Sequence, residues 1–121
     1  MKIQDILSVF LGLVLLLMAV LWIFTPKFAA EQLYMDFLEG YGRNTQIRDF
    51  TALFLATSIM SFISFFTKQH QWIFCTGLVY FLAAIFNITA SFNHEAPIVF
   101  SALVSEIIFC LMAFTSAFLY K

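Results

Sequence analysis

Residues Ile6 to Phe24 run for 19 positions without a charge, and that run constrains the chain more than any motif does. A helix needs about 20 apolar residues to cross the hydrocarbon of a bilayer. Three more stretches follow: Phe50 to Phe66, bounded by Asp49 and Lys68; Trp72 to Phe92, between His70 and His94; and Pro97 to Tyr120, broken only by Glu106. Backbone groups in lipid must find partners within their own structure, so these segments are expected to be helices, because strands of this length and pattern would leave an unclosed edge. The expected fold is an all-α, four-transmembrane-helix antiparallel bundle. It forms a single domain over residues 1–121, with spans at about 6–24, 50–66, 72–92 and 97–120.

The first span is read as a retained helix rather than a secretion signal. It exceeds a normal signal core, Lys2 is offset by Asp5, and no A-x-A pattern follows Phe24. Composition agrees with a membrane class: 63% of the residues are hydrophobic and 11% charged, against about 25% charged in soluble domains. The net charge of −1 supplies neither a nucleic-acid footprint nor a polybasic patch for anionic lipid. Lys2, Lys68 and Lys121 on one face balance Lys27, Arg43 and Arg48 on the other, so the positive-inside count is a tie. Glu31, Asp36, Glu39, Asp49 and Glu95 gather on the second face, which tips the expectation toward cytoplasmic termini.

Short connections at Thr67–Gln71 and Asn93–Ala96 make the last three spans sequential antiparallel neighbours. Lys27 to Gln46 is longer. Thr25 is placed to cap a helix with Pro26 in its first turn. Leu33, Tyr34, Phe37, Leu38 and Tyr41 then recur at helical spacing opposite Glu31 and Glu39, until Gly40 and Gly42 end the pattern. A short amphipathic interfacial helix is expected there.

At 100° per residue, Ala102, Cys110, Ala113 and Ala117 share the side of Glu106. Small residues mark close approach between membrane helices, so Glu106 should face the bundle. In the third span Thr76, Tyr80, Ala83, Asn87, Ser91 and His94 form a polar stripe, and the second gathers Thr57, Ser58, Ser61 and Ser64 on one side. The first offers Ser8, Gly12 and Ala19, a packing edge without evident chemistry.

Counting rise along each helix puts Glu106 about 14 Å and Asn87 about 7 Å from the loop between the last two spans. Their side chains lean toward each other. A direct Asn87–Glu106 hydrogen bond is therefore expected, with Ser58 or Tyr80 as a further partner. An ionised carboxylate facing lipid at that depth costs several kcal/mol, so Glu106 must be neutral, paired or solvated inside the bundle.

The candidate ligand-binding or proton-binding residues are Glu106, Asn87, Tyr80, Ser58 and Ser61; Arg48 and Asp49 form a candidate interfacial ion pair. The first reading is a non-catalytic bundle that binds a small hydrophobic ligand, lipid or partner subunit around Glu106 and Asn87. A proton-coupled transporter or oligomeric channel using Glu106 is the alternative, although four short helices leave little room for paired repeats. The hydroxyls and Asn87 also suit simple interhelical bonding. A reaction is not indicated, since Glu106 has no evident catalytic partner.

Other motifs fail on context. Asn87-Ile88-Thr89 spells a glycosylation acceptor inside a span, Cys75 and Cys110 read as packing residues rather than a disulfide, and His70 and His94 lie at opposite faces, too far apart for one metal. Trp22, Trp72, Tyr34, Tyr41 and Tyr120 stand where an aromatic belt belongs.

The layout of a first helix ending Leu21-Trp22-Ile23-Phe24-Thr25-Pro26, an amphipathic connector, and then Ile47-Arg48-Asp49-Phe50-Thr51-Ala52-Leu53-Phe54-Leu55-Ala56 resembles the small four-helix membrane proteins grouped around DoxX, in their DoxX-like bacterial branch. Family members usually carry glycines after the arginine, where this chain has Asp49, Ala52 and Ala56. The resemblance implies a multi-pass protein of the bacterial inner membrane, in some cases an accessory partner of quinone-linked redox complexes. The partners expected from the pocket reading are a lipid or quinone-like ligand and a homo-oligomer or larger membrane complex. No particular cofactor is implied.

Overall fold

The computed structural model describes residues 1–121 and contains five helices: α1 (Ile3–Phe24), α2 (Pro26–Gln32), α3 (Tyr41–Thr67), α4 (His70–His94) and α5 (Phe100–Tyr120). All except α2 are long and apolar enough to cross a membrane. The chain is a multi-pass, four-helix membrane bundle. α1 packs against α3 and α5, and α4 packs against α5 and α3, which closes the four into a ring.

The bundle buries hydroxyls beside an apolar core of Leu11, Leu15, Trp22 and Ile73, and turns large apolar side chains outward. Ser8, Ser58, Ser61, Ser64, Thr76 and Ser116 are fully buried, while Leu13, Leu17, Phe86, Leu111 and Phe118 point outward. Without a hydrophobic drive between helices in lipid, close packing and interhelical hydrogen bonds hold them together. Ser58 Oγ donates to the Gly12 carbonyl at 2.6 Å, a contact that requires α1 and α3 to approach with no side chain at Gly12. A Cβ there would meet the Phe62 ring at 2.9 Å. Gly77 plays the same part between α4 and α5, where a Cβ would lie 2.7 Å from Phe114.

The hydroxyls expected on one side of the second span do converge on α4. Thr76 Oγ1 donates to the Thr57 carbonyl at 3.0 Å. Ser64 accepts from the Ile73 amide at 2.8 Å and donates to the Gln69 carbonyl at 2.7 Å. That serine satisfies one of the orphan amides in the first turn of α4 and fixes the tight turn between the two helices. On the other side of the ring, Ser116 Oγ donates to the Gln4 carbonyl at 2.9 Å and accepts from Ser8 Oγ at 2.8 Å. The first span thus carries interhelical chemistry that its sequence did not advertise.

The connector departs from the sequence expectation. α2 stops at Gln32, and helical structure does not extend through Leu33, Tyr34, Phe37 and Leu38. A Schellman closure ends it: the Met35 amide donates to the Ala30 carbonyl and the Tyr34 amide to the Glu31 carbonyl, both at 3.0 Å, with Tyr34 left-handed at φ 57°. Thr25 does not cap α2 through its side chain; its hydroxyl donates backward to the Leu21 carbonyl at 3.1 Å.

Gly40, at φ 61° and ψ −132°, turns the chain into α3, and Gly42 lies within that helix rather than ending one. α3 therefore begins nine residues before the expected Phe50. At 27 residues it spans about 40 Å, longer than the roughly 30 Å of hydrocarbon. Its first turns take up residues that were expected to belong to the connector. The last span starts at Phe100 rather than Pro97, because residues 95–99, with Glu95 left-handed and Val99 extended, form a non-helical link.

Gln46 secures the link between α2 and α3. Its side chain is buried, accepts from the Leu38 amide at 2.8 Å and donates to the Asp36 carbonyl at 3.0 Å. Two orphan backbone groups of an irregular segment are satisfied by one amide. Trp22, expected in an interfacial belt, is instead buried and stacks on Phe50, centroids 4.8 Å apart and planes 9° from parallel.

Candidate functional site

A cavity of about 410 Å³ opens between the helices on the side of the bundle that holds α2 and the link. Met18 contributes from α1, Phe50, Leu53 and Phe54 from α3, Tyr80, Ala83 and Asn87 from α4, and Ala102, Ser105, Glu106 and Phe109 from α5. Gln32, Leu33 and Met35 border it from the connector. Its walls are mainly apolar, which is the ordinary character of a small-molecule site.

Glu106 faces this space and not the surrounding lipid. It is half-buried, and its Oε2 is shut off from solvent with no hydrogen-bond partner. No Lys or Arg lines the cavity. A buried carboxyl oxygen without a partner loses the solvation it has in water and recovers nothing in exchange.

The expected Asn87–Glu106 pair is brought together, although no bond within 3.5 Å closes between them. Asn87 stands beside the carboxyl, but its amide is turned to Val99. Nδ2 donates to the Val99 carbonyl at 3.1 Å, and Oδ1 accepts from the Val99 amide at 3.2 Å. Val99 precedes the first turn of α5, where the backbone has no helical partner, so an amide that can donate and accept at once is held there.

Tyr80 also lines the cavity, with its hydroxyl engaged elsewhere. The Thr57 hydroxyl donates to the Leu53 carbonyl at 2.8 Å, which leaves Tyr80 as the donor in its 2.9 Å contact with Thr57 Oγ1. The Tyr80 ring meets Phe109 edge-on, centroids 5.2 Å apart. Ser58 and Ser61 are not on the cavity wall. Ser58 is used on Gly12, and Ser61 Oγ donates to the Thr57 carbonyl at 2.9 Å within its own helix. Both sit where α3 is covered by neighbouring helices, and their role is packing. Three of the five expected pocket residues, Glu106, Asn87 and Tyr80, therefore share one space.

Arg48 Nε donates to Asp49 Oδ1 at 3.0 Å, with both side chains largely exposed. Glu106 has no part in it, and an exposed pair of this kind contributes about 0–1 kcal/mol. Cys75 is exposed and Cys110 buried, both as free thiols. No group of three or more His, Cys, Asp or Glu comes together anywhere in the chain.

A second polar cluster escaped the sequence reading. At the face holding both termini, Asp5 is buried; its Oδ1 accepts from Lys68 Nζ and from the Tyr120 hydroxyl, each at 2.7 Å. Lys68 also lies over the Phe65 ring at 4.4 Å. Residues from α1, the α3–α4 turn and the end of α5 are tied at one point. Nothing local in the sequence marks it, because the three positions meet only once the helices are ordered around the ring.

Fold and cavity define the class: a four-helix membrane bundle with a carboxyl-bearing apolar pocket. No family model matches this chain, and neither a curated protein nor a solved structure matches it.

Proposed function

We propose that the chain is a non-catalytic membrane protein that binds a small amphiphile between its helices, with Glu106 meeting the polar head and the apolar walls holding the body. The observation that carries this reading is the Glu106 side chain standing in the wall of an open, mainly apolar cavity with no Lys or Arg beside it. Asn87 of α4 stands beside the carboxyl, but no Lys or Arg does. Glutamine in its place would hold helices together with no ionisation cost. Asn87 and Tyr80 shape the wall, while their hydrogen bonds fix the backbone of Val99 and the α3–α4 contact.

The layout of Leu21–Pro26 and Ile47–Ala56 supports grouping the chain with the DoxX-like membrane proteins, and with it a place in the bacterial inner membrane. The crowding of Glu31, Asp36, Glu39, Asp49 and Glu95 at the connector face supports cytoplasmic termini. Identification of what copurifies tests the binding reading. Native mass spectrometry of the full chain should find one small amphiphile retained, and Ala102→Trp, which fills the cavity from α5, should release it. Equal retention by the two proteins would make the molecule annular lipid and defeat the reading.

A further inference from the structure

Resting on that reading, we propose that the occupant carries a protonated amine on an apolar body, so that the cavity takes a lipophilic ammonium compound in preference to a neutral or anionic amphiphile. The cavity has a carboxyl with no cation beside it. Glu106 Oε2 has no hydrogen-bond partner. Among the wall groups that could donate, Tyr80 is engaged with Thr57 and Ser105 with the Ser101 carbonyl at 3.0 Å, while Asn87 spends one N–H on Val99 and keeps the other beside the carboxyl. Gln32 and Ser101 are exposed at the rim. What no wall group supplies is a positive charge.

Charge and aromatic content decide what kind of head group fits. Glu106 is the only acidic residue on the wall and meets no basic one, so an anionic head would be repelled and a hydroxyl would leave the carboxylate charge uncompensated. An N–H of an ammonium gives a charge-assisted bond to the carboxylate, roughly twice as strong as a neutral one. Phe50, Phe54, Tyr80 and Phe109 surround the same space, and aromatic faces attract a cation most strongly where water is excluded. Met18 and Met35, flexible and polarizable, complete a wall that can adapt to apolar bodies of different shape.

The test uses the full chain in phosphatidylcholine nanodiscs at neutral pH, with n-decylammonium and n-decanol as probes of equal tail and different head. Binding is read from the ligand-dependent rise in unfolding temperature. Decylammonium should bind about tenfold or more tightly than decanol, Glu106→Gln should bring the two within about twofold, and Ala102→Trp should abolish both. The wild-type comparison stands alone if Glu106→Gln fails to assemble. Equal affinity of the two probes for the wild type, both lost in Ala102→Trp, would overturn the ammonium preference and leave the pocket reading intact. Equal shifts in wild type and Ala102→Trp would overturn both, because binding would then lie outside the cavity.

Discussion

Asn87 and Val99 hold each other through two hydrogen bonds, side-chain amide to backbone amide, at 3.1 and 3.2 Å. That pairing closes the link between α4 and α5 and leaves one Asn87 N–H free beside the carboxyl of Glu106.

Loss of the pairing should therefore appear as lost stability. Asn87→Ala removes both bonds and exposes two backbone groups of the link, at a cost of about 1–3 kcal/mol. Thermal unfolding in detergent should show the loss, together with faster amide exchange at Val99. An unchanged unfolding midpoint would mean that the link is held by other contacts.

Gly40 occupies a backbone conformation, φ 61° with ψ −132°, that L side chains rarely adopt, and no atom lies within 4 Å of where a Cβ would stand. Gly40→Ala should therefore cost about 1–3 kcal/mol from backbone strain alone. The strain would fall on the turn into α3, so protease sensitivity between residues 33 and 40 should rise while the spans stay folded.

Close approach of α1 and α3 depends on a bare Gly12 beneath Phe62 and on the 2.6 Å bond from Ser58. Gly12→Leu should push the helices apart and break that bond, destabilising by about 1–3 kcal/mol or more. Gly12→Ala is the graded case, since Phe62 is a side chain that can rotate to give room. Denaturation midpoints should fall in the order wild type, Gly12→Ala, Gly12→Leu.

Asp5 binds Tyr120 and Lys68 with one oxygen. The Lys68 side chain is 55% exposed, so its pairing contributes at most about 1 kcal/mol. Tyr120→Phe, which leaves Asp5 with a single partner, should cost about 1 kcal/mol, and Asp5→Ala should cost more than either partner's removal. Raising the salt concentration should weaken the Lys68 contribution and leave the Tyr120 contribution nearly unchanged.

The four spans were legible because length and apolar content alone demand helices in lipid, and the buried hydroxyls of α3 because Thr57, Ser58, Ser61 and Ser64 share one helical side. Glu106 was legible as inward-facing through its small neighbours Cys110, Ala113 and Ala117. The connector was not: the spacing of Leu33, Phe37 and Leu38 mimics a helix, while left-handed Tyr34 and positive-φ Gly40 end α2 and start α3 in the space between. Periodicity is blind to a single backbone reversal. Asn87 was placed correctly on its face, yet its partner is a backbone group ahead of α5, and side-chain patterns do not report the needs of a helix start. The Asp5 cluster joins positions more than sixty residues apart, so only the order of helices in the ring reveals it.

Carbodiimide modification of Glu106 probes the central claim most directly. Dicyclohexylcarbodiimide is apolar, partitions into the bilayer and reacts with carboxyl groups it can reach there; peptide mass spectrometry locates the adduct. Fast modification of Glu106 in the wild type, slowed strongly by Ala102→Trp, is the expected result. A Glu106 that resists the reagent, or that reacts equally fast with the cavity filled, would contradict an inward carboxyl open to an apolar ligand.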